Sequence, residues 1–295
     1  MLLGILLQLL AASPVTRDVT VGPGEVIRTT TVGTGPTVLL VPGLVGSAYA
    51  FRKVIPPLAT AGFRVVVVEP LGIGSSSRPK QADYSLTAQA RRVAAVMDSL
   101  QLRQATVLGH SVSVSTVLRL SLLRPDLVSA IIADNGGPEE EAATSGVRKA
   151  AKYAFLIRVV GGKGRMRKEL EKGLRSTAGD SMWITREVVD SYGAATARNL
   201  GATLDALKGM ARARDDSLGP RLGQITVPVH LLIGAAPRGS GIKSAHTALM
   251  RSRLPRLVVD SIAAAGLHLH EERPDVVISA IQQLARGLPP PPTAH

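Results

Sequence analysis

The run Ala105-Thr106-Val107-Leu108-Gly109-His110-Ser111-Val112-Ser113, continued by Val114 to Leu123 and then Val128 to Asp134, decides how this chain is to be read. Ala105 to Leu108 and Val128 to Ala133 are short, largely apolar runs, the pattern of strands buried on both faces. Val114 to Leu123 has the length and composition of a helix between them. Strand, helix and strand in that order make a parallel crossover unit. Gly109-His110-Ser111-Val112-Ser113 therefore sits where a strand ends and a helix begins. A tight turn there strains the backbone, lifts the Ser111 hydroxyl clear of the sheet and points the Val112 N–H at the place where an oxyanion would form. Ser111 is thus a candidate nucleophile; the plainer alternative is a serine that caps its helix.

Outward from this unit the same rhythm continues. Val19-Thr20-Val21 and Val26 to Thr31, separated by Gly22-Pro23-Gly24, predict a hairpin. Thr37 to Val41 and Arg64 to Val68 predict two more buried strands. From Ser85, an N-cap, the apolar positions Leu86, Ala90, Val93, Val96 and Leu100 follow helical spacing, so a crossover helix comes next. After Gly136-Gly137-Pro138 the strand rhythm stops, and residues 139 to about 222 are helix-forming and charge-rich with glycine breaks. Strands return at Val227 to Ile233 and Arg256 to Ile262, before a last helix from Pro274 to Leu284. The fold class is therefore α/β: a doubly wound, mostly parallel sheet at 15–137 and 223–287, a helical cap at 138–222, and a Pro-rich tail at 288–295. Ligands of such sheets bind beyond the carboxyl ends of the strands. That singles out Pro42-Gly43-Leu44-Val45-Gly46-Ser47, where Leu44 supplies a second backbone donor to an oxyanion.

With 295 residues, 45% of them apolar and 19% charged, the chain can bury a large core and is not disordered. The absence of Cys excludes disulfides, a thiol nucleophile and thiolate-bound metal. Lys and Arg number 35 against 22 Asp and Glu, and between Gly146 and Arg175 ten bases face two acids. Three Phe, one Trp and four Tyr leave little for base stacking, so nucleic acid is set aside as a partner. Val147, Ala151, Ala154 and Phe155 fall at helical spacing within the basic stretch, which reads either as a solvated face or as a surface that docks on an anionic membrane. A cap rich in aliphatic residues and poor in aromatic ones points to an apolar small-molecule substrate. Residues 2–12 are uncharged and apolar but too short for the roughly twenty-residue span of a bilayer. Residues 1–14 read as a signal or anchor segment, and the protein as exported or membrane-associated, with the cytoplasm the alternative.

Gly33-Thr34-Gly35-Pro36, the strand and loop from Val38 to Ser47, Gly62 to Pro79 with its Gly72-Ile73-Gly74-Ser75-Ser76, and Gly109 to Ser113 together resemble the α/β-hydrolase superfamily. The resemblance covers roughly residues 25 to 135 and 223 to 285. It implies a Ser-His-acid hydrolase that needs no cofactor, with Ser111 as nucleophile and Leu44 and Val112 as backbone oxyanion donors. Three positions depart from the family pattern. Pro42-Gly43 stands where His-Gly is common. Gly234-Ala235-Ala236-Pro237 carries no acid where the family commonly has one, which moves that role to Asp134, after the strand that follows the elbow helix. Seven residues before Pro274, the family's usual base position, stands Leu267; His268, one residue later, becomes the implied base and His270 a further candidate. His110 reads as structural. The implied activity is cleavage of an ester or related acyl bond. A dehalogenase-like reading fails at position 111, where that chemistry needs a carboxylate, and at Val112, where it needs Trp. Within the sequence, His268-x-His270 has no further ligand placed beside it for a metal. The rival is a non-catalytic member of the same fold that keeps its pocket and binds a ligand or partner.

Overall fold

Eight strands form one sheet in the computed structural model, which describes residues 13–142, 147–148, 163–214, 217–237 and 242–287. In chain order the strands are β1 (Val15–Gly22), β2 (Glu25–Val32), β3 (Thr37–Val41), β4 (Arg64–Val68), β5 (Ala105–His110), β6 (Val128–Asp134), β7 (Val229–Gly234) and β8 (Leu257–Ile262). Across the sheet they run β1-β2-β4-β3-β5-β6-β7-β8. β1 and β2 are the expected hairpin, β2 meets β4 antiparallel, and every pair from β4 to β8 is parallel. Order reverses between β3 and β5, so the ends of these two strands border the crevice where a doubly wound sheet takes its ligands.

The parallel strands are apolar throughout because both faces are covered. Leu39 and Val41 of β3 join one cluster, with Val107, Ile131 and Leu231; Val38 and Leu40 join the other, with Leu108, Ile132 and Leu232. All four β3 residues are fully buried, each stabilising the fold by about 1.5–3 kcal/mol relative to exposure. Helix α1 (Ile55–Thr60) precedes β4, and α2 (Leu86–Ser99) precedes β5. Ser85 caps α2 by accepting the Ala88 N–H at 3.2 Å, and Leu86, Ala90, Val93 and Val96 are buried. Helix α3 (Ser113–Leu123) joins β5 to β6.

Between β6 and β7 the chain holds helices α4 (Lys163–Thr177), α5 (Arg186–Arg198) and α6 (Leu200–Arg212) and a 3-10 turn at Gly219–Gln224. These helices lie where the cap is expected. Leu170, Leu174, Trp183, Val188, Val189 and Tyr192 form a small core of their own that also holds Tyr49 and Ala50 from the loop after β3. Helix α7 (Ser244–Arg253) leads to β8, and a short α8 (Leu269–Glu272) and α9 (Pro274–Ala285) close the chain. Residues 1–12 of the expected signal segment, the tail at 288–295, and Ala151, Ala154 and Phe155 of the basic face lie outside the described residues. Among the described residues no helix is long and apolar enough to cross a membrane.

Candidate active site

Ser111 adopts φ of 56°, the left-handed region that costs an L-residue roughly 1–2 kcal/mol. Its neighbours hold it there. The Ser111 N–H donates to the Asp134 carbonyl at 2.9 Å, tying the turn to the end of β6. Gly109 leaves room for α3 to cross close above the strand, since a Cβ there would meet Ser113 O at 2.7 Å. Gly136 is required by close approach to the Ser111 carbonyl. Ser113, where the family pattern favours glycine, is buried and donates its hydroxyl to the Pro42 carbonyl at 2.7 Å. The larger residue therefore has a use: it fastens the elbow helix to the loop after β3.

That loop turns on a Gly46 N–H to Gly43 O bond of 2.9 Å. Among the described residues neither the Leu44 nor the Val112 N–H has an acceptor in the protein, so both expected oxyanion donors remain free. A crevice of about 20 Å³, room for roughly one water, is lined by Leu44 and Val112 together with Ile73, Tyr84, Leu86 and Met210.

Asp134, fully buried at the end of β6, gathers the imidazoles. Its Oδ2 lies 2.8 Å from His270 Nδ1, a hydrogen bond, and 3.2 Å from His110 Nδ1, without the alignment of one. The expected partner, His268, is not the one bonded. His268 Nε2 lies 3.4 Å from Thr177 Oγ1, and its ring stands edge-on to Trp183 at 5.4 Å. The one-residue offset explains this: His268 is the residue before α8, while His270 lies in its first turn and faces β6. Neither His268 nor His270 is hydrogen-bonded to Ser111; His270 Nε2 and His268 Nδ1 are buried with no partner.

Electrostatics follow from burial. For Asp134 burial works against ionisation, but the adjacent His110 and the hydrogen bond from His270 outweigh it and hold the carboxyl below the usual range. Burial pushes His268 well below an ordinary imidazole, with His110 and His270 adding to the effect, and burial lowers His110 as well. Asp134 is thus an ionised carboxylate beside His110 and His268, two imidazoles that burial keeps neutral. His110, His268 and His270 also bring one nitrogen each within 4.8 Å of one another. Tetrahedral zinc at about 2.0–2.1 Å would need these atoms roughly 3.4 Å apart.

Several positioning residues were missed in the sequence. Asn135, at φ of 48°, donates from Nδ2 to the carbonyls of Gly266 and Leu267 at 3.0 and 3.1 Å and accepts the Gly234 N–H at 2.8 Å. It thereby pins the histidine loop to the ends of β6 and β7. Glu272 Oε2 accepts the N–H groups of Gly266, Gly179 and Asp180, each at 2.9 Å, so the loop is bound to the end of α4. Glu271, its side chain wholly buried, is paired with Arg52, lies 3.6 Å from Lys53, and accepts the Tyr192 hydroxyl at 2.8 Å. Burial first, and the adjacent Glu271 charge, push the Tyr192 phenol well up, so it remains a donor. Glu-Glu-Arg-Pro after the histidines, and Asn directly after Asp134, were the visible signals.

A family model described as alpha/beta hydrolase fold matches residues 36–176. Mouse (Mus musculus) bifunctional epoxide hydrolase 2 is 33% identical over 118 residues, 40% of this chain but only 21% of that protein, so the chain spans about a fifth of this relative's length. The magnesium-chelatase 30 kDa subunit of Rhodobacter capsulatus is 29% identical over 264 residues, 86% of this chain and 88% of that protein. Among solved structures, an esterase from Exiguobacterium antarcticum superposes with a TM-score of 0.76 at 16% identity, covering 92% of this chain and all of that one.

Proposed function

We propose that this chain, which has the α/β-hydrolase fold, is a serine hydrolase cleaving an ester or related acyl bond of an apolar small molecule. The observation that carries the reading is the Asp134–His270 hydrogen bond of 2.8 Å, made by the same residue whose carbonyl receives the strained Ser111 N–H. His270, rather than His268, is taken as the base because Asp134 fixes its Nδ1 and leaves Nε2 to accept a proton. In the proposed reaction His270 removes the Ser111 proton as Oγ attacks the acyl carbon. The Leu44 and Val112 N–H groups stabilise the oxyanion, and the alcohol leaves with the proton from His270. Water, deprotonated by the same imidazole, then releases the acid. Substrate must draw Ser111 and Nε2 into contact, since catalytic hydrogen bonds often close only in the complex. The aliphatic lining beside Leu44 and Val112 supports an apolar acyl group.

A second reading, a ligand- or partner-holding member without turnover, is favoured by Leu267 at the usual base position and by the absence of a Ser111–imidazole hydrogen bond. The relative named as a magnesium-chelatase subunit supports it as well. Kinetics on p-nitrophenyl esters of graded chain length separate the readings. His270→Ala should lower kcat/KM by about 10³-fold or more and His268→Ala by less than about tenfold. Loss confined to His268→Ala would overturn the base assignment, and no turnover of any ester by folded wild type would favour the second reading.

A further inference from the structure

The loop after β4 and the junction of α5 with α6 enclose a crevice of about 280 Å³ whose lining, Arg28, Ser75, Arg78, Ala195, Arg198 and Asn199, shares no residue with the nucleophile or the histidines. Three arginines line it, and among the described residues only Arg28 is paired with a carboxylate. Arg28 is held by both oxygens of Asp18, at 2.6 and 3.1 Å. Arg78 donates to the carbonyls of Ser76 and Gly74 at 2.9 and 2.6 Å and keeps a buried Nε without a partner. Arg198 donates to Ser75 Oγ at 2.8 Å. Among the described residues neither Arg78 nor Arg198 makes an ion pair with a carboxylate.

Glu69 is the carboxylate whose charge acts on this group, and it is already engaged. It is buried, with one oxygen accepting the Ala48 N–H at 2.9 Å and the other the Ser75 N–H at 2.5 Å. Burial also pushes its carboxyl up from the ordinary value. Burial, with the charge of Arg198 adding to it, lowers Arg78. Two cations held together around a polar crevice, whose nearby carboxylate is already engaged by backbone N–H groups, are stabilised by an anion. A planar guanidinium fork matches the oxygens of phosphate in particular.

We propose that this crevice binds a phosphate group, free or as a small organic monoester, between Arg78 and Arg198, with Ser75 beside them. The volume falls just below the roughly 300–1,000 Å³ of pockets that enclose drug-sized ligands, which suits an anionic head group. Ser75 and Arg78 belong to the sheet's loop and Arg198 and Asn199 to the inserted helices, so the anion bridges the two and stabilises their docking. The proposal holds whether or not Ser111 is a nucleophile.

The test is the thermal midpoint of the whole chain, titrated with inorganic phosphate or phenyl phosphate and compared with sodium chloride at matched ionic strength. A ligand at ten times its Kd should raise the midpoint of a chain this size by about 2 °C, saturably. A rise with either phosphate compound supports the site, and the more effective of the two identifies the free or the esterified form. Arg198→Gln, an exposed position that leaves the core intact, should weaken the response at least tenfold. Arg91→Gln, the same charge change on the exposed face of α2, should leave it unaltered. An equal rise with chloride, an undiminished response in Arg198→Gln, or no response in wild type would overturn the proposal.

Discussion

Replacing Asn135 by Ala isolates the contacts that hold the histidine loop against the strand ends. The variant loses three hydrogen bonds in which this side chain donates to Gly266 and Leu267 and accepts from Gly234. At about 1 kcal/mol net for each, that removes roughly 3 kcal/mol. Ala must also take φ near 48°, a conformation Asn tolerates and Ala does not, adding about 1 kcal/mol. A chain of 295 residues unfolds with an entropy of about 0.6 kcal/mol per kelvin, so a loss of about 4 kcal/mol lowers the midpoint by roughly 6–7 °C. Scanning calorimetry measures this directly. Ester turnover should fall with it, because the loop carrying His270 loses its anchor, and the fall should be in kcat more than KM. A midpoint within 2 °C of wild type, or unchanged kcat, would refute the positioning role of Asn135.

Tyr192→Phe removes a hydroxyl donated to the wholly buried Glu271, an interaction with a charged group worth about 1.5–3 kcal/mol. Chemical denaturation should show that loss with the denaturant dependence unchanged. Acidification should also destabilise the protein. His110 and His268 titrate below their unfolded value, so between the folded and unfolded values the unfolded chain binds more protons and stability rises with pH. The stabilisation is present above about pH 6.5 and is lost as pH falls, by up to about 1.4 kcal/mol per pH unit for each imidazole. A midpoint that does not drop between pH 7 and pH 5 would contradict neutral burial of these rings, and substitution of both should flatten the profile.

The scaffold was legible because its signals are local. Buried parallel strands such as Val38–Val41 and Val65–Val68 are continuous apolar runs, Ser85 caps its helix one residue ahead, and the Gly109–Ser113 turn needs only strand before and helix after it. The positions of Ser111 and Asp134 were legible for the same reason, each standing at the end of a strand. The choice between His268 and His270 was not, because it depends on which face of one short turn looks towards β6. Asn135, Glu271 and Glu272 each act on groups 79 or more positions away in sequence that no local pattern connects. Ser113 looked like a defect in a glycine position until its hydroxyl was seen on Pro42.

Covalent labelling by a fluorophosphonate, read by peptide mass spectrometry, addresses most directly whether Ser111 is an activated nucleophile. Wild type should be modified at Ser111 alone, Ser111→Ala should take no label, and His270→Ala should be labelled at least a hundredfold more slowly. Correctly folded wild-type protein that takes no label at Ser111 at pH 8 would contradict the account.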